Sequence, residues 1–62
     1  METIRRLRHA RGWSQEELAN RVGCARSSIS MIEGGHSLPR KELLKRLADA
    51  FEVPVCRLFV DV

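Results

Sequence analysis

No stretch of this sequence approaches the roughly 18 apolar residues that a membrane-spanning helix needs, so a span is excluded. Nothing ahead of the first predicted helix has the make-up of a secretory signal, and the expectation is a cytoplasmic chain without membrane contact. Cysteine is scarce: Cys24 and Cys56 lie far apart, and neither has a second cysteine or a paired histidine at zinc-ligand spacing. In a reducing compartment they read as free thiols. Internal repeats, low-complexity tracts and linkers are missing as well. So is the machinery of catalysis. Ser27 and Ser28 have no histidine or acid at the spacing of an activated nucleophile, no glycine loop is built to cradle phosphate, and His9 and His36 are isolated. These absences argue against an enzyme and assign no catalytic residue, metal, cofactor or ligand pocket.

What remains is a single domain over residues 1–62. A chain this short buries only about 60% of its unfolded surface, which leaves a thin stability margin and makes help from a partner subunit plausible. The composition is 44% hydrophobic and 31% charged, with a net charge of +3 and a pI near 9.5. That balance suits a polyanionic partner, although the excess is modest.

Helix signals divide the chain. Ile4, Leu7 and Ala10 recur at threes and mark a first helix that stops at Gly12. Arg5, Arg6, His9 and Arg11 fall on its outer face, either as a solvated basic surface or as phosphate contacts. Ser14 followed by Glu17 is a capping box for a second helix, with Trp13 and Leu18 as a hydrophobic staple. Leu18, Ala19 and Val22 form its inner face. Gly23 then supplies a tight turn, and a third helix begins within two residues. Two short helices joined in this way form a helix-turn-helix, the second placed for the major groove of DNA.

At about 100° per residue, Ala25, Ile29 and Ile32 fall within about 60° of one another on that third helix, while Arg26, Ser27, Ser30 and Met31 point away. A cation, hydroxyls and a thioether together suit base edges better than plain solvent. After Gly34-Gly35, the loop His36-Ser37-Leu38-Pro39 leads to a fourth helix with Leu43, Leu44, Leu47, Ala48 and Phe51 inward and Lys41, Lys45 and Arg46 wet. Pro54 opens a last short helix containing Val55, Leu58 and Phe59. In the segment 54–62, Val55, Leu58, Phe59, Val60 and Val62 form an apolar cluster that serves either as core closure or as an isologous dimer interface.

The run Ser14-Gln15-Glu16-Glu17-Leu18-Ala19, with Val22, Gly23, Ile29 and Ile32 in place, resembles the helix-turn-helix of the Cro and phage-repressor family of transcription regulators. The resemblance extends from Arg8 through Pro39 to Leu58-Phe59. It implies an all-α, compact five-helix domain that binds double-stranded operator DNA, usually as a homodimer. Carried over by position, Gln15 meets a phosphate or base at the edge of the half-site, and Arg26, Ser27 and Met31 read bases. Ser14, Ser28 and Ser30 take positioning contacts, His36 and Arg40 grip backbone phosphates, and Arg8 with Glu33 forms the interhelical salt bridge. The sequence departs from the family at Ala25, where a serine or threonine cap is usual and whose loss costs about 1 kcal/mol. Met31 cannot make the bidentate bonds by which glutamine or asparagine reads adenine; it contacts a thymine methyl, or else packs or faces solvent. Ser27 is short enough to need a bridging water. Arg26 is left as the strong reader, with the O6 and N7 of guanine as its expected partners and a phosphate as the rival.

Two other functions fit the residues less well. One is an antitoxin that regulates its own operon and neutralises a toxin through the apolar tail; the other is a module for protein contacts alone. Glu16 and Glu17 serve either as cap and dipole partners or as a contact for RNA polymerase.

Overall fold

The computed structural model describes residues 2 to 59, with Phe59 by its backbone. Its elements are α1 (Glu2–Ala10), α2 (Gln15–Val22), α3 (Arg26–Glu33) and α4 (Lys41–Phe51), followed by a 3₁₀ segment, Val55–Phe59. The all-α class holds, but the fifth expected helix is 3₁₀ rather than α. It is only one and a half turns long, and its first bond runs from the Arg57 N–H to the Pro54 carbonyl at 3.0 Å, three residues back. No helix among the described residues is long and apolar enough to cross a membrane.

Local chemistry sets most of the boundaries. Ser14 has extended backbone angles and its hydroxyl accepts the Glu17 N–H at 3.0 Å. The Glu17 carboxylate pairs instead with Arg21 at 3.0 Å, so only half of the expected reciprocal cap forms. Gly23 ends α2 with φ 77° and its N–H on the Ala19 carbonyl at 2.8 Å. A Cβ there would meet the Arg46 guanidinium only at ordinary contact distance, 3.4 Å, so the left-handed dihedral is what demands glycine.

Ala25 is the N-cap of α3, with no side-chain cap bond. Expected on the apolar stripe, it is exposed, because a cap residue with extended angles does not follow the helical phase. Pro39 stands one residue ahead of the Arg40 cap of α4. At its other end, α4 closes on Glu52, a non-glycine residue at φ 59°, a conformation that costs about 1–2 kcal/mol in a residue carrying Cβ.

The core lies where the inner faces meet: Ile4, Leu18, Ala19, Val22, Ile29, Ile32, Leu47, Ala48, Phe51 and Leu58 are all buried. Each of the larger side chains contributes about 1.5–3 kcal/mol by leaving water. α2 packs chiefly on α3, α4 lies across α2 and holds the 3₁₀ segment, and α1 touches α3 and that segment. Trp13 joins from the rim, its ring stacked on Phe51 at 5.6 Å. Ala10, expected inward, is exposed; the buried stripe of α1 continues through Arg8, which is 8% exposed. Leu58, a candidate dimer contact from the sequence, is 1% exposed. The 3₁₀ segment folds back on α1 and α4 and points this residue into the single chain's own core.

Candidate nucleic-acid interface

With Ile29 and Ile32 buried beneath it, α3 presents the opposite face outward. Arg26, Ser27, Ser30 and Met31 are exposed, Met31 at 49%. Ser28 is half-buried on the flank toward α4. It lines an open hollow of about 380 Å³ together with Met31, Leu38, Arg40 and Leu43. Leu38 at the rim is 79% exposed. His36 and Arg40 are exposed as well, the His36 N–H donating to the Met31 carbonyl at 2.9 Å. The His36 ring also crowds Gly34, where a Cβ would come within 3.0 Å of it.

Charge is unevenly compensated over this surface. Between Glu17 and Glu42 the sequence holds one acid, Glu33. Its side chain is only 4% exposed, and it is neutralised by Arg8 through Nε to Oε2 at 2.7 Å and Nη2 to Oε1 at 3.0 Å. Burial alone would raise its carboxyl pKa. Hydrogen bonds from Arg8 and Gln15, with the positive charge of Arg8, more than offset this and hold it below the usual value.

Several cations elsewhere are engaged. Arg5 and Arg6 pair with Glu2, Arg21 with Glu17, and Arg46 with Glu42. Among the described residues Arg26, Arg40 and Lys41 carry no ion pair, so the positive charge that is open to a partner includes both ends of the α3–α4 surface.

The basic face of α1 is less available than its sequence implies. Arg11 donates to the Phe51 carbonyl, pairs with Glu52 at 3.6 Å and lies over Trp13, tying α1 to the end of α4. Arg21 covers the same indole at 4.3 Å. Nothing in the sequence signals either contact, since both depend on how distant segments meet. Gln15 is also more than a surface group. Half-buried at the start of α2, it donates from Nε2 to Glu33 Oε1 at 3.3 Å.

The remaining site residues divide by position. The Ser14 hydroxyl caps α2 while staying exposed. Val55 is half-buried against the core. The Phe59 side chain, Val60 and Val62 lie outside the described residues. Cys24 and Cys56 are free thiols; burial pushes the Cys24 thiol pKa up, partly countered by Arg46, which disfavours a reactive thiolate there.

Sequence comparison agrees with this architecture. A family model described as "Helix-turn-helix domain" matches residues 2–58. The chain is 36% identical over 58 residues to the cryptic phage CTXphi transcriptional repressor RstR of Vibrio cholerae, covering 94% of this chain and 52% of that protein. It is 35% identical over 57 residues to the competence pilus inhibition repressor of Acinetobacter baylyi, again covering 52% of the relative. An uncharacterized HTH-type transcriptional regulator of Archaeoglobus fulgidus is 37% identical, with 81% of its length covered. The chain thus spans about half the length of the first two relatives.

Proposed function

This chain belongs to the helix-turn-helix family of transcription regulators, and from that premise we propose that it is a DNA-binding repressor whose α3 lies in the major groove of a palindromic operator. One observation carries the reading. The face of α3 turned to solvent bears Arg26, Ser27, Ser30 and Met31, while its apolar side is wholly occupied by the core. Arg26 makes the bidentate contact to guanine O6 and N7, worth about 1–3 kcal/mol of discrimination. Met31 touches a thymine methyl, and Ser27 reaches a base through water. Ser14, Ser28 and Ser30 position the helix, and His36 and Arg40 hold phosphates.

One arginine contact cannot select a genomic site. Two copies of the chain, related by a twofold axis, present α3 at half-sites about one DNA turn apart and double the information read. Pairing uses Val55, Phe59, Val60 and Val62, the apolar residues that the end of the sequence offers besides Leu58. Repression follows from occupying a site that overlaps a promoter in the cytoplasm.

Selection of bound duplexes from a random library tests this. The expected product is an inverted repeat with a guanine in each arm. Against that operator, Arg26→Ala removes the preference for guanine in each arm and keeps the fold. Arg40→Ala weakens all duplexes alike and lowers the salt slope by about 1. Parental binding by both variants would overturn the assignment.

A further inference from the structure

The ion pair beneath α3 has a third member. Glu33 is anchored by two bonds from Arg8 and also receives the Gln15 amide at 3.3 Å. A carboxylate only accepts hydrogen bonds, so the amide faces it with the NH₂ group, and that choice fixes the whole side chain. One N–H is used inward. The carbonyl oxygen and the second N–H remain for whatever approaches from outside.

Position places that amide beside the reading surface. Counting about 100° per residue along α3, Glu33, Arg26 and Ser30 lie within about 60° of one another. Gln15, bonded to Glu33 and half-buried, therefore stands at the border of the polar face.

The remaining groups discriminate between partners. A phosphate offers acceptors alone and would set its charge against the outward carbonyl oxygen. Guanine shows two acceptors on its major-groove edge, thymine one, and cytosine a lone donor. Adenine shows a donor, N6–H, next to an acceptor, N7, and so matches the oxygen and the free N–H of a glutamine amide. We propose that Glu33 is a positioning residue which holds the Gln15 amide so that it reads an adenine at the edge of each half-site. This rests on α3 lying in the major groove. Arg8 completes the arrangement, since it neutralises a carboxylate that would otherwise repel the DNA backbone.

The experiment starts from the selected operator of the parent chain. An adenine is expected at one further position in each arm, beyond the guanine read by Arg26. Replacing it by each other base lowers parental affinity about tenfold. Gln15→Ala binds all four versions equally. Substituting 7-deazaadenine at that position, which deletes only the N7 acceptor, weakens the parent and leaves Gln15→Ala unchanged. Glu33→Gln keeps the side-chain volume and an acceptor for Arg8 but frees the amide to turn over. It is expected to reduce the preference for adenine, whereas a merely structural role would lower affinity for all four bases by one factor. If Glu33→Gln does not fold, the 7-deazaadenine comparison decides the matter with the parent and Gln15→Ala alone. An operator selected without a constrained adenine, or a uniform loss across bases in Gln15→Ala, overturns the proposal while leaving α3 as the reader. Absence of any selected sequence would instead overturn the placement of α3 itself.

Discussion

Ala25 caps the helix that matters most, and it does so with a methyl group. Its backbone angles, φ −78° and ψ 150°, are those of a serine or threonine cap, yet no side-chain oxygen takes up a first-turn N–H of α3. Ala25→Ser supplies that oxygen on a backbone already in place. The expected gain is about 1 kcal/mol, seen as a rise of about 4–8 °C in the thermal midpoint. An unchanged midpoint would mean that solvent already satisfies the first turn. At this scale much of the chain is legible in advance. Ser14 and Gly23 announce the two ends of α2 because capping and left-handed turns are properties of a few consecutive residues. Arg11 and Gln15 could not be read in the same way. Their partners, Phe51 and Glu33, lie 40 and 18 residues away, and no local pattern encodes which distant carbonyl or carboxylate comes within reach.

Between elements, the principal polar tie is Arg8 on α1 to Glu33 on α3, with further bonds from Arg8 to the Trp13 carbonyl at 2.8 Å and from Gln15 to the carboxylate. Removing one member strands a buried charge and typically costs about 3–5 kcal/mol, a large share of what a small domain has. The pair also gives stability a pH dependence of defined sign. Burial raises the Glu33 carboxyl pKa, the bonds from Arg8 and Gln15 lower it more, and the folded value lies below the unfolded one. The unfolded chain therefore takes up a proton first. The contribution of Glu33 is complete above the ordinary glutamate value of about 4.3 and is lost as pH falls through the folded value. Urea midpoints measured from pH 6 down to pH 2 should decline on the acid side, and Glu33→Gln should flatten that decline. A parallel decline in both proteins would assign the acid sensitivity to other carboxylates. The resemblance to the repressor family pointed to this pair, but its third partner and its near-complete burial came from the packing.

Across the whole molecule, acids and bases are sorted rather than mixed. Six of the arginines are paired with carboxylates; of the cations without an ion pair among the described residues, Arg26, Arg40 and Lys41 lie on α3 and at the start of α4, with Lys45 and Arg57 elsewhere. The same scale governs assembly. Leu58 belongs to the core of the single chain, so the proposed homodimer draws on Val55, Phe59, Val60 and Val62 from the apolar cluster of the sequence. Removing residues 60–62 spares Leu58, which is buried in the core. Light scattering is expected to find the full chain dimeric and the shortened one monomeric, with weaker operator binding in step. A monomer in both, with operator affinity unchanged, would remove the C-terminal segment from the interface.

The order of the four α-helices, the turn glycine and the outward strip on α3 were legible in the sequence alone, because helix periodicity and capping act over neighbouring residues. Tertiary structure decided the rest. Whether Leu58 closes a core or meets a partner, whether Arg11 faces phosphate or a helix end, and which way the Gln15 amide turns all depend on contacts across the chain. Such contacts are settled only when the apolar faces have packed and left each polar group one set of neighbours to satisfy.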